Sequence, residues 1–278
     1  MGVKEIRVAH SPDSDDAFMF YALASGKLQT GELKFIHILG DIETLNQRAL
    51  AGEYEVTAVS FHAYAYVADR YALLPHGASM GERYGPIVIS RRPLTLNRLK
   101  GLHVAIPGKL TTAHLVLKLL QPEILTVEMP FDRIQDSVAS GKVEAGLIIH
   151  EGQVTYSDRA LHRVIDLGQW WFDETGLPLP LGGNAIRRDV PPETGRRISK
   201  LLKQSIEYAL THRDEALPYA MQFARDMTAQ QADRFVGMYV NEWTLDYGER
   251  GRTAVRTLFE RGFEKGIIPE LPQVDFVD

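Results

Sequence analysis

Short apolar runs alternate with amphipathic stretches along most of this chain. An apolar run of strand length at 6–10 leads through a polar loop at 11–16 into a helical pattern at 18–24. The same order of strand, loop and helix returns with an apolar run at 102–106 and a loop at 107–112. Strands that alternate with helices are typical of parallel sheets in α/β proteins. We therefore predict an α/β fold built from two similar units.

Each unit closes with a helix, a glycine and a strand, at 51–60 and again at 140–149. This internal echo predicts two lobes. The segments 85–90 and 177–186 have the character of two strands that cross between the lobes. The second of them contains the Pro and Gly residues expected where a chain must bend at defined points.

These crossings divide the chain into a larger α/β lobe, residues 1–88 with 186–278, and a smaller α/β lobe, residues 89–185. Helical patterns follow the second crossing and are expected to return to cover the larger lobe. Asp41 is predicted to cap one helix, and Thr228 with Gln231 is typical of a capping box. Two lobes joined by two strands enclose a cleft, and clefts between domains are favoured ligand sites.

Composition excludes several classes of function. The chain has a net charge of −5 and no cysteine, so nucleic-acid binding is not expected and disulfides, thiolate nucleophiles and zinc–sulfur sites are absent. No stretch approaches the roughly 18–20 apolar residues of a membrane span, and no apolar core of a signal peptide opens the chain. We expect a cytoplasmic protein that does not associate with membranes.

One histidine stands at a position suited to catalysis. The apolar run 144–149 ends on His150, with Glu151 beside it. A histidine titrates near neutral pH, and open α/β sheets bind their ligands at the ends of their strands. His150 is therefore a candidate general base, although a strand-end histidine can equally be satisfied by a neighbour or by water.

The two loops before helices are candidate binding sites for an anionic group such as a carboxylate, because helix N-termini present free N–H groups. Thr111 and Thr112 either cap the second helix or help to hold that carboxylate. In the first loop, Asp13, Asp15 and Asp16 either cap the helix or accept hydrogen bonds from ligand hydroxyls. This loop lacks the glycine and distal glutamate of an EF-hand, so no metal site is predicted. Neither loop has a nucleotide-binding pattern. Ser60 ends the corresponding strand of the first unit and is expected to face the same cleft.

Several segments resemble the 1,4-dihydroxy-6-naphthoate synthase family of the futalosine route to menaquinone, and the resemblance runs in order through nearly the whole chain. They are Ser11-Pro12 with Asp16, Phe18 and 20–23, then 41–46, 107–113, 176–182, 239–241 and Glu144-Ala145-Gly146-Leu147-Ile148-Ile149-His150-Glu151. The family's opening loop usually reads Ser-Pro-Cys-Pro-Asn-Asp-Thr-Phe. Here Asp13 and Asp15 replace its Cys and Asn, and we expect their charge to repel an anionic substrate.

The resemblance implies a two-lobed fold like that of type II periplasmic binding proteins, with a double-strand hinge. It implies cleavage of cyclic dehypoxanthinyl futalosine to 1,4-dihydroxy-6-naphthoate without metal or organic cofactor. His150 would be the base, and Asp16, Ser60, Thr112 and Ala113 would hold substrate oxygens. The expected partner is a small molecule with a carboxylate.

Two alternatives share this fold. One is a binding protein that captures a small acid without turnover, and the other is chorismate dehydratase. The strand-end histidine and the loop with Thr111 and Thr112 point away from the dehydratase. The sequence does not specify an oligomeric state.

Overall fold

The computed structural model describes residues 3–224 and 227–277. The chain forms two α/β units, and the first of them begins at the N-terminal end of the described residues. Ile6, Val8 and Ala9 of its first strand are completely buried, as expected for a strand covered on both faces. The elements of this unit are β1 (Lys4–His10), α1 (Ser14–Ala24), β2 (Leu33–Leu39), α2 (Ile42–Leu50), β3 (Val56–Ser60), α3 (Phe61–Tyr64), β4 (Tyr71–Leu73) and β5 (Ser79–Gly81).

The second unit forms its own five-stranded sheet. Its strand order is β10-β6-β9-β7-β8, with β7 parallel to β8 and β9, and β6 antiparallel to β9 and β10. Its elements are β6 (Ile87–Ser90), β7 (His103–Ile106), α4 (Thr112–Leu120), β8 (Leu125–Glu128), α5 (Ile134–Ala139), β9 (Ala145–Ile148), α6 (Gly152–Thr155), β10 (His162–Asp166) and α7 (Leu167–Thr175).

The chain then returns to the first sheet. Strand β11 (Leu179–Arg187) lies antiparallel to β3, β4 and β5, which completes the order β2-β1-β3-β11-β4 with β5 also paired to β11. The remaining elements are helices: α8 (Pro192–Thr211), α9 (Arg213–Ala220), α10 (Ala229–Tyr239), α11 (Glu242–Leu245) and α12 (Gly248–Glu264). None of the helices in the described ranges is long and apolar enough to cross a membrane.

The returning helices cover the first unit, as predicted. Helices α8 and α9 pack on α1, where Ser205 Oγ donates to Met19 O at 2.8 Å and the Tyr21 hydroxyl donates to Glu215 at 3.0 Å. The two capping predictions are also confirmed. Asp41 accepts from the Thr44 N–H at 3.0 Å, and Thr228 and Gln231 form a capping box at the start of α10.

The two crossings lie side by side. Leu179, at the start of β11, pairs with Gly81, at the end of β5. Segment 85–90 differs in one respect from the predicted crossing strand, because β6 pairs entirely within the second sheet and the link itself is 82–86. This link is tightly packed, since a side chain on Gly168 would come within 1.9 Å of Tyr84 O. The lobe boundaries proposed at residues 88 and 186 stay a prediction.

Candidate active site in the interlobe cleft

A cleft opens between the two sheets. Clefts between two such units are favoured sites for small molecules. Both sheets contribute to its walls, and the five residues predicted to bind substrate all line it. They are Asp16, Ser60, Thr111, Thr112 and Ala113.

The N-terminus of α4 forms one wall and is held rigidly. Thr111 caps the helix, because its Oγ accepts from the His114 N–H at 3.3 Å and donates to Gly108 O at 2.8 Å. Thr112 Oγ donates to Leu181 O at 2.5 Å and accepts from the His62 N–H at 3.1 Å. Both hydroxyls are therefore committed to protein groups. Within the described ranges no protein group accepts from the N–H of Thr112 or Ala113, so these two N–H groups are available to an anion.

Ser60 ends β3 at the cleft and is fixed by a buried amide. Asn46 of α2 donates from Nδ2 to Ser60 Oγ at 3.1 Å, and its Oδ1 accepts from the Ser60 N–H at 2.9 Å. Because Asn46 occupies one lone pair of the serine hydroxyl, the O–H of Ser60 can donate to a ligand.

Three carboxyl groups, those of Asp13, Asp15 and Asp16, line the opposite wall at the start of α1. Burial raises the pKa of Asp16 to about 7, although its Oδ2 accepts from the Ser11 N–H at 2.6 Å. Burial, together with the charges of Asp16 and Asp13, raises the pKa of Asp15 well above its usual range. Burial therefore opposes a negative charge on Asp15, and the expected repulsion of an anionic substrate by Asp13 and Asp15 stays a prediction.

The wall at α4 and the wall at α1 have complementary chemistry. Among the described residues that line the cleft, the ionisable ones are the three aspartates and Tyr239, and none is a cation. An anionic ligand therefore depends on the free N–H groups of α4 rather than on an arginine or lysine. A carboxyl group at α1 can donate to a ligand oxygen when it is protonated and accept from a ligand hydroxyl when it is ionised.

His150 lies outside the residues that line this cleft. The Gly152 N–H donates to its Nδ1 at 3.0 Å, so the proton of the neutral ring is on Nε2, which lies 3.2 Å from Phe131 O. The ring lines a second depression together with Asp132, Glu151 and Arg159. Only the preceding residue, Ile149, reaches the cleft. The general-base role of His150 stays a prediction. In this conformation the lone pair of Nδ1 already accepts the Gly152 N–H.

Comparison with known proteins identifies the family. A family model for menaquinone biosynthesis matches residues 6–264. A 1,4-dihydroxy-6-naphthoate synthase from Thermus thermophilus is 42% identical over 275 residues, which are 99% of this chain and 100% of that protein. The enzyme of the same name from Streptomyces coelicolor is 36% identical, over 98% of this chain and 97% of its own. The chain belongs to the 1,4-dihydroxy-6-naphthoate synthase family.

Solved structures agree with this membership. The crystal structure of an Archaeoglobus fulgidus protein is 48% identical, with a TM-score of 0.92, and covers 95% of this chain and 98% of that one. An alkanesulfonate-binding protein from Xanthomonas axonopodis pv. citri has a TM-score of 0.74 at 11% identity, covering 99% of this chain and 97% of its own. The second likeness concerns the fold alone and confirms the periplasmic-binding-protein-like architecture. As a member of the naphthoate synthase family, the chain is an enzyme of menaquinone biosynthesis.

Sequence reasoning did not single out every residue of the family site. Tyr239 of α10 lines the cleft, and its hydroxyl donates to Gln153 Oε1 of the second unit at 2.7 Å. Asn184 of β11 also lines the cleft and is only 2% exposed. A polar residue inside an otherwise apolar and glycine-rich strand is the signal that could have identified Asn184. Tyr239 lies in the segment 239–241 that carries the family resemblance, but its residue type predicted no role, because aromatic residues on helices are usually part of a core.

Proposed function

We propose that this enzyme cleaves a carbon–carbon bond of cyclic dehypoxanthinyl futalosine to give 1,4-dihydroxy-6-naphthoate. The observation that supports this most directly is the two-sided chemistry of the cleft. The free N–H groups of Thr112 and Ala113 suit the carboxylate of the aromatic ring, and the aspartates at α1 suit the hydroxyls of the sugar-derived part. The names of the two relatives support the same product.

The reaction requires a base that removes a proton from a ligand hydroxyl, after which the electrons of the resulting alkoxide drive a retro-aldol cleavage. We propose His150 for this step. Its backbone follows Ile149, whose side chain lines the cleft. To act as a base, the ring must release the Gly152 N–H from Nδ1 and turn this nitrogen toward the bound ligand. Closure of the cleft around a ligand is a reasonable source of this change.

Asp16 is the competing base. It lines the cleft already, and a carboxyl group with a pKa of about 7 is suited to accept a proton near neutral pH. The two assignments predict different kinetics. If His150 is the base, His150→Ala lowers kcat by about 10²–10⁴-fold. Asp16→Asn then acts mainly on KM.

The experiment is direct. The purified enzyme is supplied with cyclic dehypoxanthinyl futalosine, and 1,4-dihydroxy-6-naphthoate is measured by chromatography for the wild type, His150→Ala and Asp16→Asn. No product from the wild-type enzyme would end the proposed function. Full turnover by His150→Ala with loss of kcat in Asp16→Asn would move the base to Asp16. Parallel incubation with chorismate tests the dehydratase, and binding of the substrate without turnover would favour a solute-binding role.

A further inference from the structure

Asn184 is a largely buried residue whose amide forms no hydrogen bond with the part of the protein that the structure describes. The residue lies in the middle of β11, where its backbone pairs opposite Ala58 of β3 and its carbonyl accepts from the Leu74 N–H at 2.8 Å. Its side chain is 2% exposed, and among the described residues no protein group forms a hydrogen bond with it. The surface that remains to it faces the cleft.

The polar atoms of this amide are not shut off completely, because they are absent from the fully buried side-chain atoms that lack a partner. Their accessible surface belongs to the cleft, so water or a ligand in the cleft can form the hydrogen bonds that the protein does not. A polar group placed in this way in a buried strand suits recognition of a polar ligand atom.

The position of the amide is also restricted. Gly77, at a φ of +76°, lies directly beneath it, because a Cβ on Gly77 would come within 2.2 Å of Asn184 Nδ2. The glycines at 182 and 183 keep the strand bare of side chains next to it. Asn184 is thus a fixed group on the cleft wall that can both donate and accept a hydrogen bond.

We propose that Asn184 is a specificity-determining residue that hydrogen-bonds a hydroxyl or carbonyl oxygen of the ligand, while α4 holds the carboxylate. This inference rests on the proposed function for the identity of the carboxylate ligand. A hydroxyl is the best match, because an amide can donate to its oxygen and accept from its proton. Asn184 then distinguishes hydroxylated aromatic acids from bare ones.

The test compares two probes that share the carboxylate and the ring system: 1,4-dihydroxy-6-naphthoate, kept under argon, and 2-naphthoate. Dissociation constants are measured by calorimetry for the wild type, Asn184→Leu and Asn184→Ala. The wild type is expected to prefer the dihydroxy acid. One lost neutral hydrogen bond corresponds to about 3- to 10-fold in affinity, and both variants are expected to lose this factor for the dihydroxy acid only.

A control separates recognition from folding. Gln121→Leu removes another buried amide, at the far end of α4 and outside the cleft, and should leave the ratio of the two dissociation constants unchanged. The ratio is measured on one preparation, so partial misfolding of a variant does not alter it. An equal ratio in the wild type and both Asn184 variants would overturn the role of Asn184. Failure of the wild type to bind either probe would instead count against the proposed function.

Discussion

Replacement of Asp16 by asparagine should make the enzyme more stable at alkaline pH and leave it little changed in acid. Asp16 is 8% exposed, and its burial raises its pKa from 3.8 to about 7. Asparagine has nearly the same shape and keeps an oxygen that can accept from the Ser11 N–H. The substitution therefore removes the titration of this group with little change in packing.

The sign follows from proton binding. Between pH 3.8 and about 7 the folded protein keeps a proton on Asp16 that the unfolded chain has lost, so rising pH favours unfolding. A difference of one between the pKa of the folded and the unfolded state corresponds to about 1.4 kcal/mol. Ionisation of Asp16 therefore destabilises the folded state by about 4 kcal/mol above neutral pH. Below about pH 4 this cost disappears, because both states are protonated. Asp16→Asn also removes the negative charge that raises the pKa of the neighbouring Asp15, and this likewise stabilises the folded variant at alkaline pH.

Urea unfolding, followed by tryptophan fluorescence from pH 5 to pH 8, measures the effect. The free energy of unfolding of Asp16→Asn minus that of the wild type should grow by about 3 kcal/mol over this range. Asp69→Asn, at a side chain that is 76% exposed, is the control for replacing a surface carboxyl by an amide. A difference for Asp16→Asn that stays constant within about 1 kcal/mol would refute the reasoning.

Three further substitutions test local contributions to stability by thermal unfolding. Tyr247→Phe removes a fully buried hydroxyl that has no partner within the described ranges, and stability should stay equal or rise by about 1 kcal/mol; a clear loss would contradict this. Gly168→Ala should destabilise the crossing by about 1–3 kcal/mol, because its Cβ would meet Tyr84 O, and an unchanged melting temperature would show that the link can move. Thr228→Ala should cost about 1 kcal/mol through loss of the helix cap, and no change would mean that the capping box contributes nothing.

The elements that the sequence predicts are those whose pattern of apolar, loop and capping residues lies within one short stretch of the chain. The apolar runs at β1 and β7, the loops after them and the caps at Asp41 and Thr228 depend on neighbours along the chain. Three-residue strands such as β4 and β5 have no period to detect, and they form because β11 lies beside them. The same limit explains why β6 was taken for a crossing strand, since its partners β9 and β10 are distant in sequence.

The residues of the candidate site also fall into those that local sequence patterns predict and those that depend on distant contacts. The residues at the ends of β3 and at the starts of α1 and α4 converge because parallel strands in each sheet end at the same edge. The direction of a single side chain beyond a strand end does not follow from such a pattern. The orientation of His150 is set by the Gly152 N–H and by the carbonyl of Phe131, which is 19 residues away. Asn184 was missed because one polar residue in a buried strand looks like a tolerated exception.

The hydrogen bonds of Thr112 have a consequence for how this enzyme opens. This residue belongs to the second unit, yet its hydroxyl joins the carbonyl of Leu181 on β11 to the N–H of His62 in α3. The Leu110 N–H adds a third tie, to Glu43 of α2 at 3.1 Å. Movement of the two units apart at α4 would break these three hydrogen bonds, so this edge of the cleft resists opening.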